Sequence, residues 1–354
     1  NSHLKADGKL GMIGTFEQSQ MLLIGNGEVG IADVATMFPA YKPMMRGMPM
    51  HDKLFVDVNL EGSLKHLTIN KLQADLNGRV NVDAKGYVAN VTDFNHMRGA
   101  LGVSGEIVDA DFVNAFIGDD ADELFVLPKM SLAGNVDFYP GLIEGAIDAH
   151  TRGGDLAMEA MWNSRAEGYD LNVELIEFPI DAFMPKMGVK RVSGRLDANG
   201  KHYNPFNRNM VIDAQADIEY IEYKGDEYKD IAAHVMMKNH NAEVALCSEN
   251  EGADFDLMAC CKFDKTSLEW DVNADIRSLD FYALGMTKEQ ASLTTLFNSK
   301  GALDVEARKV RGMLQVDDID WRSDSLNLAV KDINAKVMAS DSVINLAMRN
   351  NDMY

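Results

Sequence analysis

The sequence predicts an all-β chain: an elongated antiparallel sheet, curled into a solenoid-like trough and interrupted by a few short helices. Three observations predict it. Apolar and polar residues alternate with period two over many short runs. Gly, Asn and Asp punctuate those runs at spacings that leave room for hairpins but not for crossover helices, so neighbouring strands run antiparallel. A unit of strand, short helix and Gly-led strand recurs along the 354 residues.

In chain order, the first pattern is Gly25-Asn26-Gly27-Glu28-Val29-Gly30. Its G-x-G-x-x-G spacing suits a dinucleotide, with Asp52 near the distance of a ribose-binding acid, but a helix starting near Ile31 reaches Pro39 after two turns and no βαβ alternation follows. Asn26-Gly27 reads instead as a hairpin turn, because both residues tolerate positive φ. Residues 37–49, with Pro39, Pro43, Pro49 and a run of methionines, read as an irregular loop. Residues 1–53 are thus an N-terminal hairpin and Met/Pro-rich segment, and residues 54–354 the repetitive trough.

Within the trough, residues 212–220 run Ile, Asp, Ala, Gln, Ala, Asp, Ile, Glu, Tyr, placing apolar side chains on one face and polar ones on the other. The same grammar marks residues 54–60, 169–175, 253–261, 268–276 and 303–307, and more weakly 326–330 and 344–348. In all about 20 strands are expected. Helical spacing appears over 108–116, 180–187 and 280–297.

Shifting by 101 residues lays Tyr169-Asp170-Leu171-Asn172-Val173-Glu174-Leu175 on Trp270-Asp271-Val272-Asn273-Ala274-Asp275-Ile276. Each copy runs into a short apolar segment and then a Gly-led strand, Gly194-Arg195-Leu196 or Gly301-Ala302-Leu303. A fainter copy has Ala110 to Phe116 as helix and Gly134-Asn135-Val136 as strand.

Charge and motifs exclude several functions. With 34 basic and 55 acidic residues the net charge is -21, which repels nucleic acid and anionic surfaces. No apolar run approaches the roughly 20 residues of a spanning helix. The acidic groups Asp119, Asp120, Asp122, Glu123 and Asp317, Asp318, Asp320, Asp324 lack calcium-loop spacing and read as solvated charge. Eight dispersed histidines offer no zinc spacing, and Gly102-Val103-Ser104-Gly105 is not a nucleophile elbow. Neither catalysis, a metal nor a cofactor is expected. Cys247, Cys260 and Cys261 read as buried structural thiols, the adjacent pair pointing to opposite faces.

The Tyr169–Leu175 pattern, the short apolar helix after it, Val192-Ser193-Gly194-Arg195-Leu196-Asp197-Ala198-Asn199-Gly200 and the run over 268–284 resemble the TamB and AsmA-like proteins of the didermal bacterial envelope. The resemblance implies a periplasmic piece of a longer chain anchored in the inner membrane. It implies a trough for passive phospholipid transfer between the two membranes and support of outer-membrane protein assembly, with an outer-membrane β-barrel protein as a partner.

Physical reasoning reaches the same lining without the family. A strand with one apolar face must hide it, and acyl tails can cover it. Leu171, Val173, Leu175, Ile212, Ile218, Trp270, Val272, Ala274 and Ile276 are the expected groove-lining residues. Two other readings stand beside lipid transfer: an envelope scaffold with a filled core, and a carbohydrate-binding or adhesive β-solenoid. Trp162, Trp270 and Trp321 at alternating positions look inward, which disfavours the last.

Overall fold

A computed structural model describes residues 2–11, 18–37, 51–117, 126–202, 207–340 and 343–350. They form 20 strands and three short helices, and every ladder described below is antiparallel and joins consecutive strands, as the hairpin-length spacings require. The chain divides into two units, one of residues 1–165 and 173–188, the other of 166–172 and 189–354. The expected loop over 37–49, beyond Met37, and the acidic group at 119–123 lie outside the described residues.

In the first unit, β1 (His3–Gly11), β2 (Gln20–Gly30), β3 (Lys53–Ser63), β4 (His66–Leu76), β5 (Val80–Ala89), β6 (Arg98–Ile107), β7 (Met130–Tyr139), β8 (Leu142–Thr151) and β9 (Asp155–Asn163) pair in succession. Asn26-Gly27 is not a hairpin turn. β2 runs straight through both residues, with Asn26 opposite Asp57 and Gly27 opposite Val56, and neither has a positive φ. The ladders on both sides of β2 win over local turn propensity. The helix α1 (Ile31–Met37) follows directly.

Two other helices sit between strands as the sequence predicts. In α2 (Ala110–Ile117), Asn114 ties the helix to the chain ahead of β7: its amide donates to the Leu127 carbonyl at 2.9 Å and accepts the Leu127 N–H at 2.7 Å. The helix α3 (Ile180–Phe183) follows β10 (Gly168–Phe178), a strand divided between the two units, and stops before Met184 because Pro185 disfavours helical geometry in the residue ahead of it. Phe183 packs with Phe178, ring centroids 4.8 Å apart, and with Met130 and Ala149 in a closed cluster over the apolar face of β7 and β8. The Val126 N–H donates to the Phe183 carbonyl at 2.8 Å and holds α3 in place.

In the second unit, β11 (Val189–Lys201), β12 (Val211–Tyr223), β13 (Asp226–Lys238), β14 (Asn241–Asn250), β15 (Ala253–Phe263), β16 (Ser267–Asp280), β17 (Ala291–Asp304), β18 (Lys309–Ser323), β19 (Asn327–Ser340) and β20 (Val343–Asn350) pair in succession. The helix expected over 280–297 is absent. Asp280 accepts the N–H groups of Tyr282 and Ala283, Gly285 adopts φ +63, and the chain turns into β17 instead. Thr294 and Thr295, β-branched neighbours on β17 that pair with Asp320 and Ile276, suit the pleated strand. The strand expected over 303–307 ends early, because the Asp304 carboxylate accepts the Ala307 N–H at 2.8 Å and closes a turn.

Tyr228 on β13 is buried, and its hydroxyl has no hydrogen-bond partner. Burial first, then the Asp226 and Asp280 carboxylates, push its phenol above the usual range. The fold therefore favours the neutral form. That preference contributes fully below about pH 10 and is lost as pH rises through the raised value. Removing the unpaired hydroxyl is expected to stabilise: Tyr228→Phe should raise Tm at neutral pH by the equivalent of about 1 kcal/mol and reduce the alkaline loss, as read by melting curves across pH. A lower Tm at neutral pH would show that the hydroxyl does bond in solution.

Candidate functional site

Residues opposed in an antiparallel ladder share a face. In the second unit this rule joins Ile212, Met237, Ala242, Cys261, Trp270 and Gly301 in one row across β12 to β17. A parallel row runs Ala214, Val235, Val244, Ala259 and Val272, and another pairs Ile218 with Ile231 and Phe255 with Ile276. Six expected lining residues, Ile212, Ile218, Trp270, Val272, Ala274 and Ile276, therefore lie on one apolar face of this unit. All six are half-buried. A covering layer would leave them buried. Within the named rows only Met237, between Ile212 and Ala242, is buried, at 6% exposed, and the others are half-buried.

Leu171 belongs to the second unit, and Val173 and Leu175 to the first. All three are half-buried, and Leu175 packs against the closed Met130–Phe183 cluster, where it is part of a filled core rather than an open lining. Elsewhere in the first unit the apolar face is uncovered. Val82, Val103, Ile147, Ile143 and Trp162 share it across β5 to β9, and Ile143 and Trp162, directly opposed, are each 54% exposed. Trp162 thus lies on the apolar face as its position predicts, yet in the open; Trp270 and Trp321 are half-buried.

Sequence reasoning missed a second feature, a groove of about 820 Å³ on the polar face of the second unit. It crosses β12 to β18 between two rows of side chains. One row carries Asp217, Asp256, Asp275 and Asp317, and the other Gln215, Asn273 and Asn298. The amides clasp their own surroundings: Gln215 donates to Asp217 at 3.0 Å, and Asn298 donates to Asn273 across the ladder. The Arg277 guanidinium donates to Asp254 and to Asp256, the latter part of the lining, at 2.6 Å each. Those bonds raise its already high pKa further, so it stays charged. The same rows also carry Ala232, Ala245, Cys247, Met258 and Leu296, so most of the groove's lining is apolar, with the carboxylates and amides set among it. The row could have been found only by chaining the registers of seven strands, because its members are spread over a hundred residues of sequence.

The cysteines are free, and their placement corrects one expectation: Cys260 is exposed, while Cys247 and Cys261 are half-buried. Cys260 and Cys261 do point to opposite faces, since Cys260 opposes polar Asp271 and Cys261 opposes Trp270. Burial pushes the Cys261 thiol up, which depletes its reactive thiolate. A maleimide at neutral pH is therefore expected to modify Cys260 well before Cys261, as resolved by peptide mass spectrometry. Equal rates would show that the apolar face opens freely to water-borne reagents.

Among the described residues, no group of three or more His, Cys, Asp or Glu side chains is placed to hold a metal ion, and no helix is long and apolar enough to cross a membrane. No family model, curated protein or solved structure matches the chain.

Proposed function

We propose that this chain is a periplasmic segment of a lipid conduit in the didermal envelope, akin to the TamB and AsmA-like proteins that its repeated strand pattern resembles. Phospholipid acyl chains lie along the apolar face while head groups stay in water, and transfer is passive, with no catalytic residue. Support of outer-membrane protein assembly, through an outer-membrane β-barrel partner, belongs to the same reading. The observation that carries it is the half-buried state of Ile212, Ile218, Val272, Ala274 and Ile276 on one face, apolar side chains that a filled core would have sealed. An apolar face of this extent exposed in water is costly, and acyl tails relieve it at about 25 cal/mol per Å² covered.

A second reading, a scaffold with a filled core, is favoured among the described residues by the closed cluster of Met130, Ala149, Phe178 and Phe183. The two readings separate by lipid mass spectrometry of the purified 354-residue chain. Co-purified phospholipid supports the conduit. Its absence, with no uptake from phospholipid vesicles, rejects it in favour of the scaffold.

A further inference from the structure

The apolar face of the second unit carries a bulky obstacle, Trp270, and a glycine that makes room for it. Trp270 opposes Gly301 on β17, which opposes Gly312 on β18. The indole lies flat over both. A Cβ on Gly301 would stand 2.5 Å from Cη2 and 2.6 Å from Cε2 of the ring, and one on Gly312 would stand 3.4 Å from Cζ2. Gly301 has no positive φ, so close approach of the ring, not backbone conformation, is what excludes a side chain there, whereas at Gly312 the ring stands at ordinary contact distance. The ring is pinned in this pose by its Nε1–H, which donates to Ser299 Oγ at 3.0 Å.

A related contact occurs 101 residues earlier, although the Gly-led strand that matches Gly301 in the repeat begins at Gly194. Trp270 and Gly301 each lie 101 residues beyond Tyr169 and Gly200. A Cβ on Gly200 would stand 2.6 Å from Cζ of Tyr169 but also 2.5 Å from the Val211 carbonyl oxygen, so there the backbone excludes a side chain as well, and only at Gly301 is the ring alone responsible.

We propose that Gly301 is a positioning residue: it lets Trp270 lie flat so that the apolar face stays passable to an acyl chain. Any side chain at Gly301 must lift the indole off the sheet and into the path, because the backbone beneath cannot yield. This inference rests on the lipid reading above and deepens it.

The test places a photo-reactive benzoyl-phenylalanine at Val272, or at Val337, which opposes Gly312 on the far side of the indole. The chain is incubated with vesicles of phosphatidylethanolamine and phosphatidylglycerol, irradiated, and analysed for lipid adducts, with circular dichroism to verify folding. Capture at both sites is expected in the otherwise unchanged chain. Gly301→Ala is expected to abolish capture at Val337, and Gly301→Ala with Trp270→Ala to restore it, since no ring is left to lift. Undiminished capture in Gly301→Ala overturns the inference, as does a loss that Trp270→Ala fails to rescue. Absence of capture at Val272 and Val337 before any glycine is changed overturns the lipid reading itself, a distinct result. If Gly301→Ala does not fold, circular dichroism of Gly301→Ala with Trp270→Ala decides: recovery of the fold once the ring is gone, with capture at Val337, supports the inference, and failure to recover overturns it.

Discussion

A photo-crosslinker at Val272 is expected to capture phospholipid, and one at the adjacent Asn273 to capture none. The two residues are neighbours in sequence but belong to different worlds: Val272 opposes Ala259 and Ser299 on the apolar face, while Asn273 opposes Met258 and Asn298 on the polar face. A strand cannot present both to one groove. The substitution pair follows the same parity. Val272→Arg introduces a charge among apolar side chains, but because the site is half-buried the guanidinium can snorkel to water. The stability loss is then about 1 kcal/mol, roughly 2–4 °C in Tm for a unit of this size, while lipid uptake collapses. Asn273→Arg should leave both unchanged. If the face were a filled core, Val272→Arg would bury an unpaired charge and unfold the unit, at a cost of several kcal/mol. Equal lipid capture at Val272 and Asn273 would defeat the conduit reading.

How far the sequence reached depends on whether a feature is local. Alternation is local, so the strand over residues 212–220 and its equivalents could be read directly, and β12, β15 and β16 follow them closely. The number of strands could be read for the same reason. Turn chemistry is local too, but competes with pairing. Asn26-Gly27 carries a strong hairpin signal and is overruled by two ladders that only the folded chain displays. Residues 280–297 combine apolar spacing compatible with a helix with Gly285, Thr294 and Thr295, and there the spacing was the weaker guide.

The site divides along the same line. Which face of β16 carries Trp270, Val272, Ala274 and Ile276 is legible from parity alone. Whether that face is covered is not, since coverage depends on partners distant in sequence; Leu175 obeys the same alternation and is nonetheless packed under α3. The aspartate and amide rows of the polar groove are equally hidden, because a row takes one residue from each strand and a single bulge, such as that between Ile276 and Leu279, shifts the count.

That local closure sets the largest stability effect expected in the chain. Phe183 is 8% exposed, stacks on Phe178 and completes the only described cluster in which a helix lies over the sheet. Phe183→Ala removes a buried ring that a four-residue helix cannot collapse to replace, because α3 is fixed at its end by the bond from Val126 and by Pro185. The cost is about 3–5 kcal/mol, equivalent to a fall in Tm on the order of 10 °C for the first unit. Met187, just beyond α3 and 56% exposed, provides the control: Met187→Ala should change Tm little. Hydrogen exchange locates the effect, with faster exchange expected in β7, β8 and α3 and none in β12 to β18, whose apolar face takes no support from Phe183 within its own unit. If Phe183→Ala melts like the unsubstituted chain, the cluster contributes nothing, and the apolar face of the first unit is as open beneath α3 as it is at Ile143 and Trp162.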